Sequence, residues 1–175
     1  VYISDVQVYP DIKGKKACLE VTFNNSDKLS LKGDLEIMGK TADNLFDIPK
    51  KKIPVTGNDS LIFMEIDLPL GDQIRTWDEF DPNLYLLNLS LNVKADKESY
   101  FDTKQVKFGM REVGVKGTRF TMNGREIFIR GTVNSAEFPL TGYPVMDESG
   151  WLHILKTCKD YGLNCVRFHS WCPPE

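Results

Sequence analysis

A chain of 175 residues and 20.0 kDa is longer than one ordinary domain, and its 41% hydrophobic and 27% charged residues exclude wholesale disorder and a fibrous protein. The 22 basic and 25 acidic residues leave a net charge of −3. The longest basic run, Lys50-Lys51-Lys52, falls short of the concentrated basic face that a nucleic acid needs, so no nucleic-acid partner is expected.

No stretch approaches the ~18 uninterrupted apolar residues of a membrane span, and no membrane partner is expected. The sequence opens Val1-Tyr2-Ile3-Ser4, in what reads as a strand, which favours an excised fragment over a chain that has lost a leader. Four cysteines, Cys18, Cys158, Cys165 and Cys172, are too few for a disulfide scaffold of this size. Three Asn-x-Ser triplets, at Asn24, Asn58 and Asn88, fit a glycosylation acceptor but arise often by chance, so they leave the compartment open.

From Val1 to about Lys107 the pattern alternates with period two and is broken by turn residues. Tyr2–Tyr9 is the first run, ending at Pro10. In the second, Ala17, Leu19, Val21 and Phe23 alternate with Cys18, Glu20 and Thr22 until Asn24-Asn25-Ser26-Asp27. Leu29 to Ile37, Leu61 to Leu68 and Tyr85 to Val93 repeat the pattern, and Phe101 to Phe108 reads as a closing strand. Six or seven strands with one apolar face each need a second layer, which predicts a mainly β fold, an antiparallel sandwich of immunoglobulin type over residues 1–108. The cysteine–tryptophan–cysteine arrangement of antibody domains is missing.

After Gly109 the grammar changes. Thr118–Met122 and Arg125–Ile129 flank Asn123-Gly124, a strong hairpin signal because both turn residues must accept positive φ. Ile127–Val133 is a strand candidate, followed by the Pro- and Gly-containing loop 138–144. Asp147 or Ser149 then caps a helix carrying Trp151, Leu152, Leu155, Cys158 and Tyr161, with Gly162 as its stop. Asn164–Phe168 reads as a further strand. Strand, helix, strand predicts a parallel pair joined by a right-handed crossover, so residues 109–175 are expected to hold a hairpin and the opening of something larger.

In α/β architectures ligands bind at the carboxyl ends of strands, which points to Arg167, His169, Trp171 and Glu175. An aromatic there suits the apolar C–H face of a sugar, and Arg or His can hold a carboxylate or hydroxyl. The same residues also read as a half-buried packing Trp, a structural ion-pair partner and a satisfied polar His. Cys165, His169 and Cys172 offer three soft ligands but lack a fourth, and the strand places Cys165 in a core, so no metal and no cofactor are expected. Glu137, Asp147, Glu148 and Glu175 are the carboxylates available for acid/base work, but nothing in their spacing pairs any two, and Asp147-Glu148 suits the start of a helix. Gly109, Gly114 and Gly117 are spaced as turn glycines and open no helix.

The run Phe108-Gly109-Met110-Arg111-Glu112, then Phe120-Thr121-Met122-Asn123-Gly124-Arg125-Glu126-Ile127-Phe128-Ile129-Arg130-Gly131, resembles the join between sandwich and barrel in glycoside hydrolase family 2. Trp77 with Asp81-Pro82-Asn83-Leu84-Tyr85 resembles the family's sandwich. Pro139-Leu140-Thr141-Gly142 and Asn164-Cys165-Val166-Arg167 resemble its loop after the first barrel strand and the start of its first signature. The likeness covers roughly Trp77 to Glu175; residues 1–76 match in fold pattern only.

The resemblance implies a fragment of a retaining glycosidase acting on a carbohydrate substrate: a sandwich followed by an incomplete β-α-β piece of a (β/α)8 barrel. Both catalytic glutamates of the family lie on later strands, so no catalytic residue is expected in this chain, and Arg167, His169, Trp171 and Asn134 are its expected substrate-site supports. Arg167 matches the family Arg that helps hold the nucleophilic carboxylate. Two departures touch the sugar site. The family's Arg-x-Ser-His-Tyr-Pro is here Arg167-Phe168-His169-Ser170-Trp171-Cys172-Pro173, with the His one position early, and the His-rich loop of β-galactosidases is here Asn134-Ser135-Ala136-Glu137-Phe138. Both suggest a divergent subgroup, and a bacterial polysaccharide degrader would favour the periplasm or secretion. The alternative reading is a non-catalytic carbohydrate-binding or protein-interaction sandwich using Trp77, Phe80 and Tyr85. An incomplete barrel also leaves Ile127, Ile129, Leu152, Leu155 and Val166 without partners, so residues 120–175 are expected to pack back on the sandwich, self-associate or be loosely held.

Overall fold

The computed structural model describes residues 1–95 and 97–173. The chain divides into two compact units, Val1–Val113 with Met122–Gly124, and Gly114–Thr121 with Arg125–Glu175.

The first unit is built from β1 (Tyr2–Asp11), β2 (Lys16–Asn24), β3 (Leu31–Thr41), β4 (Asp47–Gly57), β5 (Leu61–Pro69), β6 (Tyr85–Ala95) and β7 (Glu98–Phe108). They form two antiparallel sheets, β1-β2-β5 and β4-β3-β6-β7. Alternation is strict in the central strands β2 and β6. Ala17, Leu19, Val21 and Phe23 of β2 and Tyr85, Leu87, Leu89, Leu91, Val93 and Ala95 of β6 point inward and are buried. A two-residue side-chain period leaves one face of each strand apolar, and stacking the two faces removes both from water. This is the expected immunoglobulin-like sandwich, with the fourth strand beside β3 rather than in the first sheet.

Strand β4 is absent from the sequence expectation. Its stretch Asp47-Ile48-Pro49-Lys50-Lys51-Lys52-Ile53-Pro54-Val55 hides a period-two pattern behind two prolines and the lysine run. Both features suit an edge strand: proline cannot donate to a ladder, and lysines discourage pairing with another chain. A bulge against β3 between Ile37 and Gly39 resets the register, so that Ile48 and Val55 are both buried. Lys50 and Lys52 pair across to Glu36 and Asp34 at 2.7 and 3.0 Å, and the Lys51 ammonium reaches the Asp67 carbonyl of β5. The basic run is therefore a solvated strand edge.

The link from β5 to β6 has no ladder of its own and closes one end of the sandwich through side chains. The Tyr85 hydroxyl accepts from the Arg75 N–H at 2.7 Å and donates to its carbonyl at 3.2 Å, while its ring stacks on Phe108 at 5.3 Å. At 3% exposure Tyr85 is core, which removes it from the alternative surface-binding set; Phe80 is 75% exposed and Trp77 half-buried. The Trp77 N–H donates to the carbonyl of Met110, itself fully buried.

Beyond β7 lie β8 (Val113–Lys116), β9 (Arg119–Met122) and β10 (Arg125–Glu126), in the order β10-β9-β8. The expected hairpin is present with shorter arms, its turn residues Asn123 and Gly124 at φ of 53° and 78°. The unforeseen β8 takes up Gly114, a turn glycine by its sequence spacing. The expected strand Ile127–Val133 is replaced by β11 (Gly131–Asn134), because Ile127 bonds back to the Phe120 carbonyl and leaves 127–130 outside any ladder. The helix α1 (Glu148–Asp160) and β12 (Cys165–Phe168) follow.

Leu89 and Tyr85 hold the sandwich by different means, and urea unfolding should separate them. Leu89→Ala, which empties a buried site, is expected to cost about 2–5 kcal/mol. Tyr85→Phe keeps the ring but leaves the Arg75 backbone groups without their partner, and is expected to cost about 1–3 kcal/mol.

Candidate functional site

The second unit brings the sequence-selected residues together through a parallel pair. β11 and β12 run in register, Gly131 beside Cys165 through Asn134 beside Phe168, and α1 is the connection between them. Parallel strands cannot be joined by a tight turn, so this pairing requires the intervening helix. That helix starts at Asp147, the first of the two expected caps, whose carboxylate accepts from Gly150 N–H at 2.7 Å and from the Ser149 hydroxyl at 2.6 Å. It ends where Gly162, at φ 75°, lets Gly162 and Leu163 N–H groups bond back to the Lys159 and Cys158 carbonyls.

Asn164 fixes the position of β12, a role its motif alone did not reveal. Its side-chain carbonyl accepts from Arg130 N–H at 2.8 Å, its amide donates to the Phe128 carbonyl at 3.0 Å, and its own N–H reaches the Arg130 carbonyl at 2.9 Å. Three bonds to the irregular stretch before β11 replace the missing ladder there.

At the carboxyl ends of the pair, the Asn134 carbonyl accepts both the His169 N–H, at 2.9 Å, and the Trp171 indole N–H, at 3.2 Å. The Asn134 side-chain oxygen accepts from Ala136 N–H at 3.0 Å, closing the loop on itself. Both loops leave their strands through a non-glycine residue in the left-handed region, Ala136 at φ 61° and Ser170 at φ 60°. Such backbone is held at a cost and clusters at functional sites. Asn134, His169 and Trp171 are thus assembled in one place.

Trp171 is the centre of an aromatic group, edge-on to Phe138 and Phe168 at 5.6 and 5.4 Å and stacked on Trp151 at 6.1 Å. It is half-buried, and its neighbours are protein rings, so it serves first as packing. His169 is exposed, with Nδ1 2.9 Å from the Ser170 hydroxyl. Arg167, beside Val133, is exposed and has no ion pair among the described residues. Glu175 lies outside the described residues. Of the remaining carboxylates, Asp147 is held below the ordinary carboxylate range by the Ser149 hydroxyl and then the Gly150 N–H, which suits a helix cap and not a proton donor.

One expectation is corrected here. Cys165 faces solvent rather than a core, because the described chain places no layer against that face of β12. It begins the strand, whereas His169 follows its end, so Cys165, His169 and Cys172 do not share one compact loop.

The same absence of a covering layer holds for α1. Its stripe is amphipathic as predicted, but none of its residues is buried, and Leu152 and Leu155 are 59% and 47% exposed.

Three comparisons place this architecture among known proteins. The family profile described as Glycosyl hydrolases family 2 matches residues 1–111. A β-galactosidase of Leuconostoc mesenteroides is 31% identical over 155 residues, covering 87% of this chain and 14% of the relative, so the chain spans about a seventh of that enzyme's length. Among solved structures, a glycosyl hydrolase family 2 member from Bacteroides cellulosilyticus aligns over 98% of this chain and 22% of its own, with TM-score 0.77 and 16% identity. A β-glucuronidase of Parabacteroides merdae aligns over 99% and 21%, with TM-score 0.70 and 20% identity.

Two measurements follow from this geometry. Because the folded carboxyl of Asp147 is depressed, its contribution is complete above the unfolded value of about 3.9 and is lost as pH falls through the lower folded one. Helical ellipticity at 222 nm should therefore stay level from pH 7 to 5 and decline only below about pH 4, and Asp147→Ala should lower it already at pH 7. In timed alkylation followed by mass spectrometry, exposed Cys165 and Cys172 should be labelled first and Cys18 last. The Cys18 thiol is pushed up by burial and then by Glu65, which keeps it protonated.

Proposed function

The chain belongs to glycosyl hydrolases family 2, and we propose that it is the immunoglobulin-like sandwich and the opening strand–helix–strand of the catalytic barrel of a retaining β-glycosidase. The observation that carries this reading is the in-register parallel pair β11/β12, joined by α1, with Asn134, His169 and Trp171 gathered at its carboxyl ends. Barrel enzymes place their chemistry at that end of their strands. A full barrel of about 250 residues would also supply the layers that α1 and Cys165 lack.

In this reading the substrate is a carbohydrate, and the acid/base and nucleophilic glutamates come from later strands of a longer protein. Retention requires two carboxyl groups about 5–5.5 Å apart across the scissile bond. Arg167 then acts as a positioning residue: an exposed guanidinium on the second strand, ready to take a carboxylate from a later one, holds that carboxylate ionised and correctly aimed. His169 and Asn134 shape the sugar site around it. The His one position early and the Asn134–Phe138 loop in place of a His-rich one speak for a specificity other than that of the β-galactosidases.

The test is turnover of a nitrophenyl β-glycoside series by the longer protein and by residues 1–175. The longer protein is expected to hydrolyse at least one member, and residues 1–175 none. In the longer protein, Arg167→Ala should lower kcat by about 10²–10³-fold, the scale for removing a preorganised charge, with the melting temperature little changed. A longer protein inert on the whole series, or one whose kcat is indifferent to Arg167→Ala, overturns the corresponding part of the reading.

A further inference from the structure

We propose a second ligand site on the sandwich itself: the open corner between β1 and β7 binds an anionic saccharide. The two strands are the facing edges of the two sheets. At one end they are tied together, the Ile3 N–H donating to the Asp102 carboxylate at 2.7 Å and the Lys104 ammonium to the Ser4 carbonyl at 2.8 Å. No such tie joins them at the other end among the described residues, and there they frame a cleft of about 430 Å³ lined by Val8, Pro10, Trp77, Leu84, Lys107, Phe108, Gly109 and Arg111. That volume lies within the range of small-molecule sites.

The lining combines an apolar floor with two cationic side chains. Pro10, Leu84, Phe108 and the half-buried Trp77 supply the floor. Arg111 lies over the Trp77 ring, 4.8 Å from its centroid, and Lys107 stands at the end of β7; both are exposed, and neither has an ion pair among the described residues. Gly109 makes the seat for the indole, since a Cβ there would meet Trp77 at 2.9–3.1 Å. Below the ring the main chain is already satisfied: the Trp77 N–H donates to Met110, and its carbonyl accepts from the Asn123 side-chain amide at 3.0 Å. An acidic peptide would find no backbone partner at Trp77, whereas a pyranose offers C–H faces to the floor and a carboxylate to the two cations. The site differs in residues and in chemistry from the carboxyl ends of β11 and β12, so its test is independent of the glycosidase reading.

The experiment is a titration of residues 1–175, followed by NMR through the Trp77 indole N–H, assigned with Trp77→Phe. The probes are digalacturonate, its neutral dimethyl ester, inorganic sulfate and a short polyglutamate. Digalacturonate is expected to shift the Trp77 signal saturably and the ester to bind at least 10-fold more weakly. Arg111→Ala should weaken digalacturonate binding at least 10-fold and Lys107→Ala several-fold. Both residues are exposed, and an unchanged amide spectrum will confirm that each variant is folded. No saturable shift up to 20-fold excess over millimolar protein, unchanged affinity in both variants, or equal binding of sulfate or polyglutamate would each overturn the proposal.

Discussion

The hydroxyl of Tyr85, held between the N–H and the C=O of Arg75, is the fastening on which one end of the sandwich depends. The stretch from Pro69 to Tyr85 crosses between the sheets without a ladder, so its backbone groups need partners from side chains and turns. Tyr85 supplies two, and its ring stacks on Phe108, the last residue of β7. This sets the position of Trp77, whose N–H then reaches buried Met110 and whose carbonyl takes the Asn123 amide. Remove the hydroxyl and the penalty falls on part-buried backbone, where an unmade hydrogen bond costs more than a made one contributes.

The two units manage apolar surface in opposite ways. The sandwich buries most of its inward-facing apolar residues, because two sheets suffice to cover one another. In the second unit α1 and the β11/β12 pair leave Leu152, Leu155, Cys165 and the edges of β11 and β12 without cover among the described residues. A sheet closed into a barrel has no edges and covers its helices from within; a two-stranded piece can do neither. Apart from the rings gathered around Trp171, hydrogen bonds hold this piece, with Asn164, Asp147 and the Asn134 carbonyl each serving several groups.

The same contrast explains what could be read from the residues. Six of the seven sandwich strands were legible, since a strand buried on one side must alternate. β4 was not, because an edge strand is under pressure to carry the prolines and lysines that erase the pattern. The helix, its Asp147 cap and its Gly162 stop were legible from local chemistry, as was the Asn123-Gly124 turn. The extent of β11 was not, because it is decided by where β12 lies and by Asn164, 33 residues after Gly131 in the chain. At the carboxyl ends of the pair, Asn134, His169 and Trp171 could be named from the sequence. That one carbonyl gathers two of their N–H groups, and that Trp171 spends its ring faces on Phe138, Phe168 and Trp151, could not.

By itself, then, the sequence determined the elements whose signals are local: period-two burial, a cap with its acceptor three residues ahead of a free N–H, and a turn that requires positive φ. The tertiary structure alone decided which strands pair, how Lys51 comes to serve an edge, how Trp77 is seated between Gly109 and Arg111, and that β1 and β7 frame a cleft. Each of those is a meeting between residues far apart in the chain, set by the closing of one sheet over another, and no local propensity encodes it.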